Sequence, residues 1–282
     1  MNKFKTLIRK DWIISKKTLL MPFWITAGFY LLIILGTVIA YYKGDVQGNL
    51  FDFPTDIPIN AISYIANLSV VGLPGLMSII FTIMLMQGAL NEDIRRNCEL
   101  FHRSQPVSIW LRTGSKFYVG LLGNWIVLFL ITLFTFIVIN IILAIIHQFN
   151  FYVAISGMLQ ALTAFIKTGL IVGSFTFFCS AIFKDKAFLK GLSIIVAVHF
   201  LFLIFNSLFG WKLPLPLTYL LKLVTIDTGQ RILVGIDEFE ALNLIKNAWN
   251  SILFNWKTLY QVLFSGALFA GATLIYKNKE IK

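Results

Sequence analysis

The sequence predicts an all-α integral membrane protein with six transmembrane helices, on three observations. Of its 282 residues, 58% are hydrophobic and only 13% are charged. A soluble domain carries about 25% charged residues, so this chain cannot cover a water-facing surface with polar groups. Six apolar runs are each long enough to cross about 30 Å of hydrocarbon. Lys and Arg gather at alternate ends of those runs, the pattern of the positive-inside rule. The whole of 1–282 reads as one transmembrane domain. The formal net charge of +11 would suggest nucleic acid in a soluble protein, but its placement at span ends excludes that partner.

Residues 1–18 place Phe4, Leu7, Ile8 and Trp12 at helical spacing. Lys3, Lys5, Arg9, Lys10, Lys16 and Lys17 fill much of the remaining surface. That predicts an N-terminal interfacial helix, apolar face down and basic face toward anionic lipid. A basic tail that only fixes orientation is the plainer alternative, and Trp12 favours the interfacial helix. Leu19–Tyr42 is the first span, too long for a signal-peptide core and without a small-residue cleavage site. Tyr41 and Tyr42 end it as an aromatic belt, and a polar loop with Asp45, Asp52 and Asp56 follows.

Tyr64–Met86 is the second span, interrupted by Gly72-Leu73-Pro74-Gly75, where a kink is expected. Residues 87–116 are the densest charged stretch, with Glu92, Asp93, Arg95, Arg96, Glu99, Arg103, Arg112 and Lys116. Their mixed signs point to a soluble partner, because lipid head groups would ask only for Lys and Arg. Phe117–Ile146 and Val153–Phe183 are spans three and four, both longer than a perpendicular helix needs. Lys184-Asp185-Lys186 and Lys190 form a small basic loop before span five, Ala187–Phe209.

Residues 210–256 predict an outer helical loop. Pro214 and Pro216 break the exit from span five, and Asp237 with Glu240 forms a capping-box pattern. Phe239, Leu242, Ile245, Trp249 and Ile252 then recur as one apolar stripe, on a helix lying on the leaflet or dipping between spans. Leu259–Tyr276 is span six, and a basic tail follows. With both termini in the cytosol, seventeen Lys and Arg fall on the inner side against six outside. That places 87–116 in the cytosol of a multi-pass protein of the cytoplasmic membrane.

Recognisable catalytic patterns are missing from the sequence. It contains no P-loop, no H-E-x-x-H, no G-x-S-x-G and no aspartate cluster. His102, His147 and His199 fall at unrelated depths, and Cys98 and Cys179 have no placement that favours a disulfide. Away from the span ends, Lys167 is the one charge within the spans, and two readings stay open. It either lines a translocation pathway or subunit seam near the midplane, or sits at the outer interface. His199 and Asn206, seven apart on span five, belong to the same possible pathway or to ordinary helix–helix hydrogen bonding.

The run Leu90-Asn91-Glu92-Asp93-Ile94-Arg95-Arg96-Asn97-Cys98-Glu99-Leu100, then Ser104-Gln105-Pro106-Val107-Ser108 and Lys116, resembles the permease subunit of type-2 ABC exporters. Asn97-Cys98 stands where that family often has Gly-Thr. The architecture matches over the whole chain and the motif over about thirty residues.

The resemblance implies a cytosolic coupling helix between spans two and three. Its ATPase-docking residues would be Glu92, Asp93, Arg95, Arg96, Glu99 and Arg103. It also implies a second permease subunit, identical or a sister chain, and separate cytosolic ABC ATPase subunits. Those partners would bind ATP and Mg, so this chain would carry no cofactor and would be a transport subunit, not an enzyme. The expected cargo is an amphiphile: a peptide, an antibiotic or a lipid-like molecule. A lipid-modifying enzyme would need clustered acid, base or metal ligands at one depth. An autonomous secondary transporter would show inverted repeats and several intramembrane charges. A sensor or immunity subunit that binds its ligand without moving it is a further alternative.

Overall fold

The computed structural model describes residues 3–43, 59–92, 107–145, 149–225, 243, 246–249, 252–253 and 255–278, with the side chains of residues 37 and 41 left aside. All regular structure among these residues is helical. The longer helices among the described residues are α1 (Lys3–Lys43), α2 (Ile59–Val70), α3 (Gly72–Gly88), α4 (Ile109–Ile145), α5 (Phe151–Ile182), α6 (Ala187–Phe209), α7 (Pro216–Val224) and α8 (Trp256–Asn278). With α2 and α3 counted together, six of these segments are long and apolar enough to span a membrane. The chain is a multi-pass membrane protein, and each expected span falls on one of the six.

Residues 3–18 are continuous with the first span. α1 runs unbroken from Lys3 to Lys43, because no Gly or Pro interrupts it before Pro22. Its course still changes. Phe4 and Asp11 lie about 10 Å apart along α1, yet they meet Tyr118 and Ser115, only three residues apart on α4. Further on, Leu19 lies beside Gly123 and Tyr30 bonds Thr135, so the rest of α1 follows α4 lengthwise. The first turns therefore lie across α4 within one continuous helix.

The expected interruption of span two is present, one residue early. α2 stops at Val70 and α3 begins at Gly72, with Val71 as the joint. Pro74 has no N–H to give the preceding turn, so the ladder resumes with Gly75 N donating to Val71 O at 2.7 Å. A Cβ on Gly75 would come within 2.5 Å of the Phe165 ring. Only glycine lets α3 approach α5 this closely, and small residues do this work where the hydrophobic effect is absent.

α5 is the hub and packs against α2, α3, α4, α6, α7 and α8. The most apolar stretch of α5 is 61% buried, whereas those of α1 and α6 are 6% buried. One core cluster joins Val71, Leu128, Phe136 and Met158; another joins Met86, Leu121, Phe177 and Tyr276. The helices finish nearly flush at one end, where Tyr276 of α8 packs with Ala181 of α5 and Leu90 beyond α3. We call this the charged end, since Arg112, Lys116 and Lys184–Lys190 lie there.

The opposite end is staggered. α8 begins beside Lys167, midway along α5, so α5 continues about 24 Å past it to Phe151. Asn60–Asn150, Asn67–Asn140 and Tyr64–Gln160 bonds join α2, α4 and α5 there. α7 begins at Pro216, where the missing N–H costs nothing, and folds back so that Thr168 Oγ1 and Gln261 Nε2 donate to the carbonyls of Val224 and Leu223. The capping-box pattern at Asp237 and most of its apolar stripe lie outside the described residues; Trp249 and Ile252 are inside, and Trp249 Nε1 donates to Ser156.

Candidate functional site: the charged end of the bundle

Both roots of the charged segment between spans two and three are built into helix ends. Just past α3, Asn91 is buried, and its Nδ2 donates to the carbonyls of Ser180 and Phe183 at 2.9 Å, with Lys184 O at 3.4 Å. Ser180 O belongs to the last turn of α5 and Phe183 O to its C-cap, where carbonyls lack intrahelical partners. At the other root, Lys116 is 8% exposed, and its Nζ donates to Ala89 O at 2.8 Å. A cation at a helix C-terminus meets the negative end of the helix dipole, so Lys116 holds α4 to the end of α3. Arg112 is buried one turn before it, and Thr113 bonds Thr273 of α8 at 3.1 Å.

Between these roots and α1 opens a cavity of about 600 Å³. Asp11 and Ser15 come from α1, Glu92 from the segment past α3, Lys116 from α4, and Lys184 and Lys186 from the α5–α6 turn. Asp11 is 7% exposed and accepts from Ser115 Oγ at 2.5 Å. Lys186 turns the chain with φ 49° and caps α6 without a side-chain hydrogen bond, so the first amides of α6 face outward from the helix.

Of the six residues expected to dock an ATPase, Glu92 lines this cavity. Asp93, Arg95, Arg96, Glu99 and Arg103 lie outside the described residues. The three residues expected along a pathway or seam share no hydrogen-bond partner among the described residues. Lys167 Nζ donates to Ile252 O and, at 2.6 Å, to Thr258 Oγ1, so it fastens α5 to the start of α8. Asn206 is occupied locally: its Oδ1 accepts from Leu213 N at 2.8 Å, and its Nδ2 donates to Leu213 O at 3.1 Å. His199 Nδ1 is buried and has no hydrogen-bond partner among the described residues. Among those residues no group of His, Cys, Asp and Glu is placed to hold a metal ion.

Sequence reasoning missed Asp11 and the amide pairs of the interior. Asp11 is the only acid before residue 45 in a strongly basic stretch, and that isolation was the available signal. Asn67 and Asn140 fall in apolar runs as single amides, which gave a weaker one. Comparison with protein-family models, with curated proteins and with solved structures gives no match.

Proposed function

We propose that the chain is the permease subunit of an ATP-driven ABC exporter, with 87–116 as the segment on which a separate ATPase docks. The observation that carries this reading is the anchoring of that segment at both roots. Asn91 reaches the end of α5 and Lys116 reaches the end of α3, so a displacement of the segment is delivered to the bundle's hub. A charged loop that served solubility alone would need no such attachment. Packed helices respond to such a push as rigid bodies, the motion alternating access requires.

In this reading both termini and the charged end face the cytosol of the cytoplasmic membrane, following the Lys and Arg bias. The thinly covered faces of α1 and α6 leave room for a second permease subunit as well as for lipid. Lys167 then lies about 22 Å along α5 from its inner end, about midway between the midplane and the outer boundary of a core about 30 Å thick. The cargo is an amphiphile, in keeping with the apolar spans.

The test is affinity purification of the tagged chain from its native cells in mild detergent, with mass spectrometry of what accompanies it. A stoichiometric soluble ATPase, lost in E92K/D93K while membrane insertion persists, is the expected result. Repeated recovery of the chain alone from several detergents would turn attention to an autonomous transporter or a lipid-modifying enzyme.

A further inference from the structure

Two sides of the bundle carry their apolar surface at different heights. On one side α1 packs on α4 and α3, and on the other α8 packs mainly on α5. The helices between them allow the heights to be compared. A Cβ on Gly123 of α4 would come within 3.1 Å of Leu19, so the apolar run of α1 starts there. Two residues further along α4, Trp125 Nε1 lies 3.4 Å from where a Cβ on Gly169 of α5 would stand. Lys167, two residues from Gly169, bonds Thr258 at the start of α8. Leu19 and Leu259 therefore share nearly one height, about 20 Å from the charged end of α5. From that height the two runs go opposite ways. Leu19–Tyr42 continues about 35 Å toward the far end, with Tyr30 meeting Thr135 on the way. Leu259–Tyr276 runs about 26 Å to the charged end, where Tyr276 packs with Ala181. Both runs present bare hydrocarbon: Leu31, Ile34 and Ile39 on α1 are more than half exposed, as are Val262 and Leu274 on α8.

A bilayer lying square to the bundle would cover one run and leave most of the other in water, which the hydrophobic effect opposes. We propose that the lipid-binding belt of this protein is oblique, so that the hydrocarbon core lies nearer the charged end on the α8 side and nearer the far end on the α1 side. The length of α4 sets the slope. Its uncharged run Phe117–Ile145 is about 43 Å long. An inclination of about 40° reduces the rise of that run to about 33 Å, close to the thickness of the hydrocarbon and at the upper end of the tilts helices adopt. The same slope gives two other features a setting. α7 has no buried residue and presents Tyr219, Leu221 and Lys222 beside the start of α8, at the head-group layer away from the charged end. The charged-end cavity is walled on one side by Asp11, Ser15 and Thr18, just before the core begins at Leu19, so its charged walls stay in the opposite head-group layer. The inference rests on the spans alone and stands apart from the exporter reading.

Spin labels placed one at a time at Met21, Leu31, Tyr260 and Ala267 test this, since all four positions are exposed. The full chain is used, with Cys98 replaced by serine and the buried Cys179 left in place. Depth is read from relaxation by oxygen against a water-soluble nickel chelate, in vesicles of phosphatidylethanolamine and phosphatidylglycerol. An oblique bilayer puts Leu31 and Ala267 near the midplane, with Met21 about 12 Å and Tyr260 about 8 Å shallower. A square bilayer instead makes Met21 and Tyr260, which share one height, the deepest pair, or leaves Leu31 or Ala267 at the accessibility of water. Either result would overturn the proposal. Polarised infrared dichroism of the unlabelled protein in oriented bilayers gives a second reading. A mean helix inclination near 40° is expected, and one near the usual 20° would overturn the oblique belt.

Discussion

The two ends of the bundle are held by different means. At the charged end, one side chain often serves several main-chain groups: Asn91 reaches the last carbonyls of α5, and Lys116 reaches the carbonyl of Ala89. At the opposite end, where α2, α4 and α5 meet, side chains mostly answer side chains. Asn67 and Asn140 exchange hydrogen bonds of 3.0 and 2.7 Å, Tyr64 donates to Gln160 at 2.5 Å, and Asn150 donates to Asn60 at 2.7 Å. The difference concerns what a single loss leaves behind. An amide lost from a reciprocal pair strands one partner, which can turn to a neighbour. Asn91 lost from its place strands the carbonyls of a helix end, which cannot move without the helix.

That contrast can be broken most easily at Asn91. Asn91→Ala should lower stability by about 3 kcal/mol, the upper range for stranded buried polar groups, measured by reversible unfolding in mixed micelles. Lys167 departs from this at the far end, as do Thr168 and Gln261, because each serves a main-chain carbonyl. Lys167→Met should cost about 1.5 kcal/mol and raise hydrogen exchange in the first turn of α8 while leaving α2 protected. Thr258 Oγ1 also donates to Ile252 O at 3.0 Å and limits that loss. Asn140→Ala should cost about 1 kcal/mol, as single interhelical hydrogen bonds in membranes do. A larger loss at Asn140 than at Asn91 would invert the comparison. Non-additivity in the Asn67/Asn140 double-mutant cycle would sharpen it.

The six spans were legible because an apolar run of spanning length has few other fates. The break in span two was legible from Pro74 and Gly75, although the joint settles at Val71, where the backbone hydrogen bond from Gly75 begins. The boundary expected near residue 18 between an interfacial helix and span one is absent, since α1 runs through it from Lys3 to Lys43. Periodicity marks an amphipathic stretch but carries no signal for where a helix stops, and nothing between Lys3 and Pro22 stops this one. Lys167 stood out as a charge within an apolar run, yet its partners lie 85 and 91 residues away, beyond any local pattern. The cavity was illegible for the same reason: Asp11 and Ser115 are separated by 104 residues. The spacing of His199 and Asn206 suggested one shared role, but Asn206 is taken up by the turn at Leu213.

The joint at Val71 has a mechanical meaning. It divides the second span into two rods, and Gly75, seated against the Phe165 ring, lies one turn below it like a fulcrum. α3 is a lever of seventeen residues, about 25 Å long. Tilting it by about ten degrees would swing its tip sideways by about 4 Å, roughly three-quarters of a helical pitch. At that tip sit Ala89 and Asn91, so a rotation too small to disturb α2 would still tug on α4 and α5 together.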